Sequence, residues 1–136
     1  MAHERAGQPA QETDLIDLQA VLDAYTRIVP SSANPDQAVV FGTSGHRGTS
    51  LNGTFNEAHI AAITQAVVDY RTGAGITGPM YVGKDSHALS EPAYRTALEV
   101  LSGNGIRVLA EDGLPPTPAL SHALLVHNAR GCDHAA

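Results

Sequence analysis

Residues 41–48 read FGTSGHRG, with Gly42, Gly45 and Gly48 at intervals of three, a Thr43-Ser44 pair and one arginine, Arg47. Glycine tolerates positive φ and lets backbone N–H groups crowd towards an anion. Hydroxyls add donors, and arginine supplies a planar charged fork that suits phosphate oxygens. The string therefore predicts a phosphate-handling loop in which Thr43, Ser44, Gly45 and Arg47 carry the contacts. An ordinary glycine-rich turn has the same composition, and such strings often arise by chance. Composition alone leaves both readings open.

A second set of polar groups stands at Gly83 to Leu89, where Lys84, Asp85, Ser86 and His87 follow an apolar run. Lys84 and Asp85 also fit a solvated surface pair. Other chemistries are excluded by context. Residues 73–78 satisfy GxGxxG but follow a helical pattern and precede a strand, the reverse of a dinucleotide site. Residues 48–54 approach a nucleotide-binding string, yet Thr54 stands where lysine is required. Ser44 is not in a GxSxG elbow.

Seven histidines include no HExxH pair, and no metal site is read from this chain. His122 and His127, five apart, do not share a helix face. His59, in the first turn of a helix, reads as a surface residue, and His3 and His134 lie near frayed ends. His46 and His87 each sit in a loop at the expected ligand edge, which makes them candidates for phosphate binding.

The surrounding pattern supplies the frame. Leu15, Leu18, Leu22 and Tyr25 recur at helical spacing, with Asp14 as cap and Pro30 as stop. Ser31 to Gln37 is a polar linker, and Ala38 to Phe41 reads as a short buried strand. Asn56 caps a helix with Ile60, Ile63, Val67 and Tyr70 inward, stapled by Phe55 against Ile60 and ended by Gly73 and Gly75. Pro79 to Val82 is a strand. Ser90 caps a helix with Tyr94, Leu98 and Leu101 inward, and Ile106 to Ala110 is a third strand. Thr117 caps a last helix with Pro118 first and Leu120, Ala123, Leu124 and His127 on one face.

Alternating strands and helices predict a three-layer α/β/α unit with a mostly parallel sheet. Ligands in such sheets bind beyond the carboxyl ends of the strands, which gathers the loops 42–48, 83–89 and 111–117, the last bringing Thr117. The 136 residues have room for one domain, and 43% hydrophobic content suffices for a core. The organisation reads as an N-terminal helix and linker over 1–37, an α/β/α domain over 38–130 and a divergent tail over 131–136. A formal charge of −6 without a basic cluster opposes nucleic acid or an anionic membrane as partner. No run approaches the length of a membrane span, and the N-terminus lacks the apolar core of a signal peptide, so a cytoplasmic location is expected. The single Cys132 cannot form an internal disulfide.

FGTSGHRG resembles the signature near the start of the first domain in the phosphohexomutases, most closely the bacterial phosphoglucomutases specific for α-D-glucose phosphates. The stretch at Arg5 to Ala10, the runs Ile76 to Pro79 and Tyr81 to Asp85, its continuation to Pro92, Pro116 to Ala119 and Leu125 to Asn128 follow in family order. The resemblance covers roughly residues 3–130. It implies an incomplete first domain of the phosphohexomutase fold and an isomerase that interconverts glucose 1-phosphate and glucose 6-phosphate through a phosphoserine and Mg²⁺. Arg47 would stand beside the phosphoserine and the reacting phosphate, with Thr43, Ser44, Gly45, His46, Lys84 and His87 as binding groups.

The family reaction also needs a Ser-His-Asn-Pro loop, an Asp-Gly-Asp magnesium loop, a sugar-binding Glu loop and a distal phosphate loop, and none is in these 136 residues. Asp112-Gly113 is the only Asp-Gly pair. The match fades after Asn128, and the ending resembles a frameshift or premature stop. The isolated chain is thus expected to be inactive, with contacts to missing domains or an intact mutase. A non-catalytic phosphate-binding or mutase-docking module is the alternative.

Overall fold

The computed structural model describes residues 5–42, 44–111 and 113–129; His3, Thr43, Asp112, Cys132 and His134 lie outside the described residues. The main elements are α1 (Leu18–Arg27), α2 (Glu57–Gly73), β1 (Met80–Val82), α3 (Ser90–Gly103), β2 (Val108–Ala110) and α4 (Thr117–Ala129). Three short 3₁₀ turns, at Glu12–Asp14, Pro35–Gln37 and Ser50–Asn52, shape the N-terminal half. β1 and β2 pair in parallel with Met80 opposite Val108 and Val82 opposite Ala110. Parallel neighbours need a crossover, and α3 supplies it. Glycines close the helices before both strands: Gly75 and Gly105 adopt φ of 68° and 70°, the left-handed conformation that glycine enters without a Cβ penalty.

α2 packs along α3, and the central apolar cluster joins Val21, Tyr25 and Leu89 to Phe55, Ile60 and Ala93. The Phe55–Ile60 staple thus lies within this core. Polar bonds inside it fix α1. Tyr25 Oη and Thr96 Oγ1 are 2.9 Å apart, Ser50 Oγ donates to Val21 O at 2.7 Å and Asn56 Nδ2 donates to Ala24 O at 2.7 Å. Burial raises the Tyr25 phenol above its ordinary range.

Several local expectations change. Asp17, not Asp14, caps α1 by accepting from Ala20 N at 3.0 Å, while Asp14 accepts from Gln11 N. The buried face of α1 is Val21, Ala24 and Tyr25; Leu15 and Leu18 are exposed. Periodicity locates an apolar stripe, but the partner that covers it selects the buried face, and here the partners are Ser50 and Thr96. Asn56 keeps the position before α2, yet its amide turns to Ala24 and Ser50, and His59 Nδ1 accepts the Asn56 N–H instead. In α2, Val68 is buried, whereas Tyr70 and Val67 are exposed.

Residues 38–41 do not form the expected buried strand. Val40 and Phe41 are exposed, and the stretch makes a single antiparallel bridge, Phe41 to His46. A strand requires a neighbour to satisfy its ladder, and among the described residues only β1 and β2 pair. Arg71 is an unforeseen core residue, 2% exposed. Its Nη2 donates to Gly78 O ahead of β1. Among the described residues, no helix is long and apolar enough to cross a membrane.

Candidate functional site

The three loops expected at the carboxyl ends of the strands meet at one cleft of about 660 Å³. His46, Arg47 and Gly48 line it from the first loop, Gly83, Lys84, Asp85 and His87 from the second, and Pro115 and Thr117 from the third. Phe55, Tyr94 and Leu120 supply apolar wall that sequence reasoning had placed only as packing residues. The first turns of α3 and α4 also open here, through Ser90 and Thr117. Their contribution to an anion is the positive end of the helix dipole, since Ser90 N and Ala119 N already donate to His87 O and Pro116 O and Pro92 and Pro118 have no N–H.

The first loop turns back on itself where Gly42 N donates to Gly45 O at 2.9 Å, with Gly45 at φ 139°. Arg47 Nη2 donates to Ser44 Oγ at 3.1 Å, so Ser44 reaches the cleft through Arg47 and is not itself part of its lining. Arg47 is exposed, with its charge open to an incoming oxygen. Thr43 falls outside the described residues. His46, a phosphate-binding candidate in the sequence, turns its ring nitrogens to backbone: Nε2 lies 2.8 Å from Thr54 O, and Nδ1 lies 3.3 Å from Val40 N and 3.2 Å from Val40 O. Gly48 passes so close to Thr54 that a Cβ there would lie 2.6 Å from the Thr54 carbonyl carbon.

The second loop is organised by Asp85. Its carboxylate accepts from Ser90 Oγ and from His87 N at 2.9 Å, and these two bonds hold it below the ordinary carboxylate range. Ser90 is the first residue of α3 rather than its cap. His87 Nδ1 accepts from Leu89 N at 3.1 Å, so the neutral ring carries its proton on Nε2. Lys84 does not pair with Asp85. It pairs with Glu91, and its ammonium stands 5.0 Å from the Tyr94 ring centroid. Glu91 also accepts from Arg95 Nε at 2.9 Å, and Lys84 and Arg95 together lower its carboxyl from the usual range.

His59 is buried rather than superficial, 4% exposed, with Nε2 2.8 Å from Gln37 O. Its ring centroid lies 5.1 Å from that of His46. His127 packs edge-on against Tyr81. Among the described residues no group of three or more His, Cys, Asp or Glu side chains could hold a metal. The donors around the cleft do not fit the Mg²⁺ that the resemblance implies. The arrangement instead suits an anion with a polar body, met by one exposed guanidinium, two helix N-termini and an imidazole.

Comparison with known proteins gives the family. Residues 38–133 match the family model for phosphoglucomutase/phosphomannomutase, alpha/beta/alpha domain I. A phosphoglucomutase of Komagataeibacter xylinus is 54% identical over 125 residues, which cover 90% of this chain and 22% of that protein. The chain belongs to the phosphoglucomutase/phosphomannomutase family and carries its α/β/α domain I.

Proposed function

We propose that this chain provides the phosphate-positioning domain of a phosphoglucomutase, an isomerase of carbohydrate metabolism that interconverts α-D-glucose 1-phosphate and glucose 6-phosphate. The supporting observation is the convergence of Arg47, Lys84 and His87 with the first turns of α3 and α4 on one cleft. Arg47 meets the transferring phosphate, and Ser44 orients its guanidinium. Thr43 and the Gly45 backbone add donors in the same loop. His87 offers Nε2–H to a phosphate or sugar oxygen, and Lys84 joins once an anion competes with Glu91. The phosphoserine nucleophile and the Mg²⁺ that would screen charge in the transfer belong to residues outside this sequence, and the setting is cytoplasmic. These 136 residues alone bind the phosphosugar weakly and do not isomerise it. The exposed Val39, Val40 and Phe41 favour a second role for this face, as the surface on which the rest of a mutase docks.

Calorimetric titration with glucose 1-phosphate tests the phosphate reading. A charge-assisted bond is worth about 1.5 to 3 kcal/mol, roughly tenfold to a hundredfold in Kd. Arg47→Ala is expected to lose that factor and Arg47→Lys to recover part of it. Equal affinity in wild type and Arg47→Ala sinks the proposal.

A further inference from the structure

Arg47 sits between two residues that both seize the same peptide. His46 bonds to Thr54 O, and Gly48 packs against the Thr54 backbone so closely that no side chain fits. Both nitrogens of the His46 ring are engaged by backbone: Nε2 by Thr54 O at 2.8 Å, and Nδ1 by the Val40 peptide, 3.3 Å from its N and 3.2 Å from its O. Neither nitrogen is left over for a ligand. Its ring is stacked on Phe55 at 5.9 Å, with 5° between the planes. Its other neighbour, His59, is anchored on backbone as well, donating to Gln37 O and accepting from Asn56 N.

We infer that His46 is a positioning residue: it ties Val40 to Thr54 across the base of the loop, aims Arg47 into the cleft and makes no contact of its own with phosphate. The inference rests on the proposed phosphate site for its functional meaning, but the brace itself is a property of the unliganded chain. Both bonds reach backbone, so they constrain the path of residues 41–48 whatever side chains the loop carries. A side chain aimed by its neighbours loses less freedom on binding than one that must be ordered by the ligand.

The test is a long-range ¹H–¹⁵N correlation of the histidine rings, with the Arg47 Nε resonance followed in parallel, during titration with glucose 1-phosphate. The His46 ring nitrogens are expected to keep the same shifts before and after ligand, while Arg47 Nε shifts. A His46 ring that titrates together with Arg47 makes it a direct ligand and overturns the inference. If Arg47 Nε stays still, the phosphate reading falls by itself. The brace is then judged without ligand, by the heteronuclear relaxation of Arg47 Nε. That side chain is expected to gain mobility in His46→Ala and to recover in His46→Gln, whose amide can still donate to Thr54 O. Unchanged Arg47 mobility in His46→Ala overturns the brace. Where phosphate binds, His46→Ala should weaken it about tenfold and His46→Gln much less. Should His46→Ala fail to fold, His46→Asn against His46→Gln decides the point, since the shorter amide does not span to Thr54 and only the longer one restores Arg47.

Discussion

The first and second loops face each other across one cleft and are built on opposite plans. The first, at 42–48, is braced from a distance: His46 and Gly48 hold Thr54, six to eight residues along the chain, and His46 also holds Val40. Its brace is made of backbone groups and an imidazole ring, and no carboxylate takes part. The second, at 83–89, is braced by itself. Asp85 binds the next turn of chain through His87 N and Ser90 Oγ, and the first turn of α3 follows directly. A loop that carries the exposed Arg47 has no neighbouring helix to hold it, so its shape comes from contacts made elsewhere. A loop that runs into a helix inherits its shape from that helix.

The difference is broken most forcibly at Gly48. An alanine there would place Cβ against the backbone of Thr54, which cannot rotate away as a side chain can. The loop must lift or residue 54 must move, and both displace the His46 bonds. Gly48→Ala is expected to cost about 3 kcal/mol and to weaken phosphate binding more than its loss of stability explains. Urea unfolding monitored alongside phosphosugar titration measures both. Stability and affinity within error of wild type would mean that the Gly48 approach to Thr54 is not maintained in solution.

The corresponding change in the second loop is milder. Alanine at Gly83 meets Leu120 Cδ1 at 2.5 Å and Pro115 Cγ at 3.0 Å. Leu120 is partly exposed and can change rotamer, so Gly83→Ala is expected to cost about 1 kcal/mol. Its signature is a narrowed cleft, seen as perturbed Leu120 methyl resonances with the first-loop amides in place. A cost equal to that of Gly48→Ala would erase the distinction between a loop braced on backbone and one packed on side chains.

The same contrast explains what could be read from the sequence. β1, β2, α2, α3 and α4 follow from local signals: apolar runs, turn glycines at 73 and 75, and Pro118 in the first turn. Lys84 and His87 could be placed at the cleft because their loop leaves the carboxyl end of β1, whereas Arg47 was visible only through its glycine-rich string, since among the described residues no strand precedes that loop. On α1 Tyr25 was legible, but Val21 and Ala24 were not, because the buried face is chosen by Ser50, Asn56 and Thr96, up to 71 residues away. His59 was misplaced for the same reason, since Gln37 O reaches it from a separate turn. The stretch 38–41 has the composition of a strand but, among the described residues, only the single bridge from Phe41 to His46, and composition cannot report the lack of a strand beside it. The residue type of His46 was visible in the loop, while the two backbone groups that occupy its nitrogens were not.

Acid separates the two plans with the smallest effect. The folded Asp85 carboxyl is lowered from 3.8 by the Ser90 and His87 bonds. A lowered folded value means that its contribution is fully present above 3.8 and is lost as pH falls through the folded value beneath it. The group is exposed, so solvent screens the effect and the loss loosens the loop without unfolding the chain. His87 and Ser90 amides should therefore shift and exchange faster below 3.8, while Gly42, bonded to Gly45 O, holds its position. Glu91 is lowered from 4.5 by Lys84 and Arg95 and releases Lys84 in an overlapping window. Asp85→Asn separates the two, because an amide keeps an acceptor for His87 N but no longer titrates. In that variant the acid response of His87 should vanish and that of Lys84 should remain. If the amides of both loops moved together in wild type, acid would be loosening the whole domain, and the second loop would share the distant bracing of the first.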